Sequence, residues 1–305
     1  MRRIVFLVAL LLLLGACQST DNGQALVAPP GGPVAFRIGG NPVTVADVQR
    51  RLERDIGAAV ADLVAQGQTR EQIEQLANEN NVRATIFDRM IQDELLLLEA
   101  RRSGVGVRPA EVDAAALAQA PGEPGLATPG LTETRLDAAR SQVVYQMIAR
   151  NTRTAMFHAR HILVADQAAA DEVLAELRAG ADFAALARER SQDQSSAAEG
   201  GDLGWQPRGN LVAEFEEAAF SAPLNTPTAV SSQFGVHVIE VLGREEDRPF
   251  DSFEQLQRSR SAQQFYEATF LPWYNQLVAD AQASGELELA PGFDPNSVPL
   301  PFPDQ

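Results

Sequence analysis

This 305-residue chain carries three histidines, and two of them fall on apolar, strand-like runs: His161 within residues 159–164 (AxHILV) and His237 within residues 231–241 (SSQFGVHVIEV). Imidazoles set among Leu, Ile and Val can ligate a metal, move a proton or satisfy a hydrogen bond inside a core. His158 stands three residues before His161, and an H-x-x-H spacing brings two ligands together on a helix. Along a strand, the period of two sends Phe157, Ala159, His161 and Leu163 to one face and His158, Arg160 and Ile162 to the other. No Cys or carboxylate cluster completes a zinc set, so a metal site is discounted, and taken singly each histidine reads as a hydrogen-bonded core residue. His237 likewise shares its face with Ile239 and Val241. Between the two runs lies GGDLGW at 200–205. It lacks the Lys-Ser/Thr ending and following helix of a phosphate loop, so Gly200, Gly201 and Gly204 read as a tight turn beside the histidines.

The elements that must position these residues follow from capping and periodicity. A strand over 157–164 precedes a helix over about 168–178 that stops at Gly180, and Asp182 can N-cap a second helix to Arg190. A polar loop (191–201), a short apolar segment with Trp205, an acidic helix (212–220) and a closing strand (236–242) complete a β-α-α-α-β order. That order predicts a small α+β domain with an antiparallel sheet.

Together, in this order and spacing, the three segments resemble the parvulin family of peptidyl-prolyl cis-trans isomerases. The resemblance covers residues 156–247 and implies rotation about X-Pro bonds with no cofactor and no metal. Rotation must overcome the amide resonance barrier of about 18–20 kcal/mol, so the task calls for an apolar cup for the proline ring and polar groups that favour a twisted amide. Carried over by position, the family motif implies that His161 and His237 hydrogen-bond to each other and organise the pocket, with Ser232 holding that network. Asp193, or its neighbour Gln194, falls beside the substrate carbonyl. Leu211 and Phe215 line the proline cup, with Phe220 and Trp205 as further binding residues. The stretch after the first strand, ADQAAADEV, is acidic and apolar where phospho-specific members are basic, which argues against phosphoserine-proline recognition.

The flanks point the same way. Val34 opens a short strand and turn. Thr44 with Asp47 and Thr69 with Gln72 then start helices running to about Gln66 and, with little interruption, to Ser103, where Gly104 is the stop. Further helices are expected over 110–119 and 133–153, separated by a Pro/Gly-rich loop at 121–130. The run FDRMIQDELLLLEARRSGVGVRPAEVD resembles the N-terminal helical segment of the PrsA and SurA foldases, in which the isomerase domain is an insertion. The expected division is a helical chaperone-like domain (34–155), the parvulin domain, a C-terminal helical segment (248–288) packing back on the first domain, and a disordered proline-rich tail (289–305). Within the C-terminal segment one helix runs from Ser252 through Phe270 and restarts at Pro272.

Ahead of these, Arg2 and Arg3, an apolar run to Leu14, and Leu14-Gly15-Ala16-Cys17 form a secretory leader (1–16), too short to span a bilayer. LGAC resembles the lipobox of bacterial lipoproteins, which makes Cys17, the only cysteine, the lipidation residue. A flexible tether (17–33) follows. Loss of Arg2 and Arg3 takes the net charge from −16 to −18, which argues against nucleic acid as a partner. The expected partners are unfolded or nascent exported proteins with X-Pro bonds, and the membrane through the lipid anchor. The resulting reading is an exported foldase on the extracytoplasmic or periplasmic face. The alternative is a catalytically idle parvulin domain within a holdase.

Overall fold

The computed structural model describes residues 32–106 and 129–303. The expected leader, Cys17, nearly all of the tether and the 110–119 helix lie outside the described residues. Two compact units divide the chain: residues 1–144 with 275–305, and residues 145–274. The second is therefore an insertion in the first.

In the discontinuous unit, β1 (Val34–Ile38) and β2 (Asn41–Thr44) form an antiparallel hairpin. Thr44 then caps α1 (Val45–Ala65): its hydroxyl accepts the Asp47 N–H, and the Asp47 carboxylate accepts the Thr44 N–H at 2.7 Å. This reciprocal pairing satisfies two donors that the first helical turn leaves free. α1 buries Val48, Leu52, Ile56 and Val60, one face at four-residue spacing. Thr69 and Gln72 repeat the cap at α2 (Arg70–Glu79).

The expected continuous helix to Ser103 is broken at Asn80 and Asn81. Asn81 takes a left-handed conformation (φ 50°) before α3 (Val82–Arg102). The sequence Asn78-Glu79-Asn80-Asn81 offers no apolar anchor, and Asn enters that conformation at lower cost than most residues. α3 buries Ile86, Met90, Ile91 and Leu95 as its spacing requires, and also Phe87 and Leu96. Gly104 (φ 67°) follows its end.

α4 (Pro129–Asn151) begins earlier than expected and stops at Thr152, whose hydroxyl donates to the Ile148 carbonyl at 2.8 Å. The inserted unit starts within this helix, at Tyr145.

The insertion continues through β3 (Arg153–Val164), α5 (Gln167–Arg178), α6 (Phe183–Arg190), α7 (Gln194–Ala197), β4 (Asp202–Pro207), α8 (Ala213–Ser221), β5 (Thr228–Ser232) and β6 (Gly235–Pro249). The fold class is α+β, a small antiparallel sheet of order β4-β3-β6-β5 with helices around it, inserted in a mainly helical domain. β3 and β6 pair along most of their length, with Leu163 opposite His237 and His161 opposite Ile239. Alternation then separates two cores. Ile162, Val164, Val236 and Val238 pack with α5 and α6, whereas Phe157, Ala159, Ile239 and Val241 pack with Phe215 and Ala219 of α8. The edge strands β4 and β5 carry Gly, Pro and Ser and become strands through pairing with this central hairpin.

Two boundaries move. The compact insertion spans 145–274 rather than 156–247, because residues after β6 stay with it: Phe253 of α9 (Phe253–Arg258) stacks on Tyr145 at 4.4 Å, and the Phe250 N–H donates to the Ala149 and Thr152 carbonyls. The helix expected from Ser252 to Phe270 is divided into α9, α10 (Ala262–Phe265) and a π turn at Tyr266–Phe270. α11 (Leu271–Ala283) leads back to the first unit, where β7 (Leu287–Leu289) joins β1 in the order β2-β1-β7.

The tail, expected to be disordered from residue 289, is built in as far as residue 303. Val298 and Leu300 are buried, and Arg83, only 3% exposed, donates from Nε to the Val298 carbonyl at 2.7 Å. Proline lowers the entropy lost when such a segment is ordered, so two apolar anchors and one buried guanidinium hold it.

Candidate active site

His161 enters the site from β3 and His237 from β6. Both are 5% exposed, and their Nδ1 atoms are 3.1 Å apart. His161 Nε2 faces Asp193 Oδ2 at 2.8 Å, and His237 Nε2 faces Ser232 Oγ at 2.7 Å. Asp193 is placed by its own local structure: it N-caps α7, with Oδ1 accepting the Ser195 N–H at 3.1 Å. Ser232 ends β5, paired with Gly235. Four residues named from the sequence therefore form one hydrogen-bonded line.

The Asp193 charge orients that line. Burial alone would raise its carboxyl, but hydrogen bonds from the Ser195 and Ser196 hydroxyls, from His161 and from the Ser195 N–H hold it far below the usual carboxylate range. An ionised Asp193 only accepts, so His161 Nε2 donates to it. In the tautomer that carries its proton on Nε2, His161 accepts at Nδ1. His237 therefore donates from Nδ1 and accepts the Ser232 hydroxyl proton at Nε2. Burial first, and the neighbouring His161 next, push His237 down to about 4, which keeps it in this neutral form at pH 7. With each polar hydrogen committed, the line is a rigid scaffold rather than a set of free bases.

Phe215 seals the scaffold on its apolar side. Its ring meets His161 edge-on at 5.6 Å and His237 at 5.4 Å, and it is 2% exposed. Leu211 and Phe220, both partly exposed, pack against the same cluster. Phe220 is held edge-on by Phe157 at 5.1 Å and covered by the Arg208 guanidinium at 3.7 Å.

Trp205 is not brought to this cluster. Its ring lies 5.6 Å from His158 and 4.2 Å from the Arg248 guanidinium, and Gln255 holds its carbonyl. β4 pairs Trp205 with His158, on the opposite alternation from His161. Gln194 also turns away, donating to the Ser191 carbonyl at 3.1 Å, whereas Asp193 faces His161.

Two contributors were not legible in the sequence. The Ser196 hydroxyl lies 2.6 Å from Asp193 Oδ2 and 3.1 Å from His161 Nε2, and so bridges them. Glu216, 8% exposed, accepts the backbone N–H groups of Gly209 and Leu211 at 2.8 and 2.9 Å, fixing the turn that presents Leu211. Ser196 could have been suspected from the D-x-x-S spacing at a capped helix start, but Glu216 looked like one acid among several on a solvated helix. The glycine pair acts as expected. The His161 N–H donates to the Gly201 carbonyl at 2.9 Å, and a Cβ at Gly201 (φ 81°) would come within 2.2 Å of the His161 carbonyl oxygen.

A site of this build on a four-stranded antiparallel sheet defines a parvulin-type isomerase domain, and the PPIC-type PPIASE domain model matches residues 142–245. A SurA-like N-terminal domain model matches residues 1–122. A foldase protein PrsA from Halalkalibacterium halodurans is 31% identical over 267 residues, covering 82% of this chain and 73% of its own. One from Geobacillus sp. (strain WCH70) is 43% identical over 98 residues, covering 32% of this chain and 36% of its own length. Another, from Geobacillus kaustophilus, is 39% identical over 125 residues, 40% of this chain and 44% of the relative. The chain belongs to the PrsA foldase family. A crystal structure of PrsA from Bacillus anthracis superposes with a TM-score of 0.32 at 22% identity, covering 66% of this chain and 97% of that one.

Proposed function

We propose that this protein is a lipid-anchored foldase of the extracytoplasmic or periplasmic face that isomerises X-Pro bonds in exported clients. The observation that carries the reading is the line from Asp193 through His161 and His237 to Ser232, backed by Phe215. The planar amide is stabilised by a resonance form with negative charge on oxygen and positive charge on nitrogen. A proline ring seated on Leu211 and Phe220 would leave the preceding carbonyl near Asp193. There a fixed carboxylate opposes charge on that oxygen, so the twisted amide is favoured relative to the planar one. No covalent bond forms, and no proton needs to leave the line.

The test is the cis-to-trans rate of short X-Pro peptides with the full chain in detergent. Asp193→Ala should lower kcat/KM about 10- to 100-fold. Phe215→Leu, which keeps most of the side chain's volume, should lower it less. Equal rates for wild type and Asp193→Ala, both folded by circular dichroism, would remove the proposed role of the carboxylate.

A holdase is the second reading. The helical unit has a small open cavity of about 180 Å³ lined by Leu95, Leu98, Leu277 and Ala281 on one side and by Glu99, Arg102, Asp280, Ser284 and Glu286 on the other, a mixed lining that suits a single amphipathic side chain. Suppression of client aggregation that survives Asp193→Ala while rotation is lost would assign the two activities to different units.

A further inference from the structure

The proline-rich segment after β7 is seated on its own helical unit in the manner of a bound peptide. Val298 has extended backbone (φ −76°, ψ 127°), and Val298 and Leu300, two residues apart, are buried while Pro299 between them is exposed. Extended chain turns every second side chain to one face, and here that face is covered. Arg83 of α3 donates from Nε to the Val298 carbonyl at 2.7 Å, and the Arg70 guanidinium of α2 covers the Phe302 ring at 4.4 Å. Phe87 of α3 meets Phe293 at 5.1 Å. Two residues of α2, Asn78 at 3.0 Å and Glu74, hold the other guanidinium nitrogens of Arg83 and so aim it at the carbonyl. A main-chain bond flanked by alternate apolar side chains is a general way to grip extended peptides of varied sequence.

We propose that the surface of α2 and α3 around Arg70 and Arg83 binds extended client segments of the pattern apolar-Pro-apolar, and that residues 293–302 are its intramolecular occupant, displaced when a client binds. The inference rests on the foldase reading above, but it concerns the helical unit and not the histidine line. Arg83 is 3% exposed. Without an acceptor its Nε–H is a buried donor left unpaired, so the surface favours an occupant that brings a backbone carbonyl. Every client offers one. Prolines reduce the freedom that an extended segment loses on seating, an advantage that clients with X-Pro bonds share with this segment. Arg70 adds a preference for an aromatic ring beyond the second proline. The segment is also built to lift. Asp294 caps a short turn (Pro295–Ser297) by accepting the Asn296 N–H at 2.9 Å, so the stretch folds on itself. It lies outside the β2-β1-β7 sheet and the long helices, and its release leaves their ladders intact. A tethered occupant competes at an effective concentration on the order of millimolar, which screens out weakly bound chains.

The test measures, by fluorescence anisotropy, the binding of two labelled peptides to the full chain in detergent. One has the segment's own sequence, DPNSVPLPF; the other, Gly-Gln-Thr-Ile-Pro-Met-Pro-Tyr-Gly, shares only the pattern. Val298→Ser combined with Leu300→Ser, which frees the seat, should tighten both peptides about 10-fold or more. Phe302→Ser, which removes only the Arg70 contact at a half-buried ring, should tighten them about 2- to 3-fold and decides the matter if the double variant fails to fold by circular dichroism. Arg83→Met added to either variant should abolish the gain. No gain in a folded variant, a gain for the segment's own sequence alone, or a gain that survives Arg83→Met overturns the proposal. The cis-to-trans rate of short X-Pro peptides should stay within about 2-fold in every variant. Failure of the binding surface with rotation intact leaves the isomerase reading standing, and absence of rotation with peptide binding as expected does the reverse.

Discussion

At the residue scale, the site depends on one charge and one suppressed protonation. His237 titrates near 6.5 in an unfolded chain but near 4 here, from burial and the neighbouring His161. As pH falls from about 6.5 to about 4, the unfolded chain takes up this proton and the folded chain does not, so stability declines across that window. At about 1.4 kcal/mol per unit, discounted for solvent screening, the loss is about 2 kcal/mol. Asp193 is displaced downward as well, by the hydrogen bonds its carboxylate accepts, and adds to the same acid sensitivity. Its contribution is present above its ordinary value near 3.8 and is lost as pH falls below that. Thermal unfolding from pH 7 to 4 should show the first decline. His237→Gln, which cannot take up the proton, should be less stable at pH 7 and show a shallower slope between 6.5 and 4. An unchanged slope would mean that His237 is not the group responsible. The family motif led to His161, Asp193, Ser232 and His237, but the direction of each hydrogen bond follows from an Asp193 kept ionised by the donors around it, which only the folded arrangement supplies.

Among the elements, α8 and the turn before it place Leu211 and Phe215, the residues of the proposed cup. Glu216 holds two backbone N–H groups of that turn while itself buried. Removing it takes the partner from both donors, and since Gly209 is exposed and Leu211 half-buried, water replaces part of what is lost, leaving a cost of about 1 kcal/mol each. Glu216→Ala should therefore lower stability by about 2 kcal/mol and raise KM for X-Pro peptides, as Leu211 loses its fixed position. Glu216→Gln retains an acceptor oxygen and should stay within about 1 kcal/mol of wild type. Chemical denaturation of both variants alongside peptide kinetics checks this, and equal destabilisation by Ala and Gln would show that charge rather than acceptance matters. The same scale explains where sequence reading stopped. Caps at Thr44, Thr69 and Asp182 are local events between residues three apart, and each occurs as expected. The break at Asn81 and the strands β4 and β5 reflect weak local preferences resolved by neighbours distant in the chain.

For the whole molecule, the proposed location rests on the N-terminal segment. Lipidation at Cys17 predicts that the wild-type chain in cells partitions with membranes and carries the mass of an acylated N-terminal cysteine. Cys17→Ser should move to the soluble fraction with its X-Pro activity unchanged. Membrane association that persists in Cys17→Ser would reject the anchor. The sequence by itself determined the α+β class, through periodicity and capping, which act over short stretches of chain. The insertion of one unit within another and the histidine, serine and carboxylate positions were implied by the family resemblance that its motif order carries. Only the tertiary structure decided that Trp205 belongs to His158 and Arg248 rather than to the cup, and that Ser196 and Glu216 support the site. It also decided that the insertion extends to 145–274 and that the tail is anchored through Val298 and Arg83. Each of these turns on which side chains meet after β3 pairs with β6 or the C-terminus returns to α3. Such partners are fixed by burial and hydrogen-bond satisfaction across long separations, which no local pattern encodes.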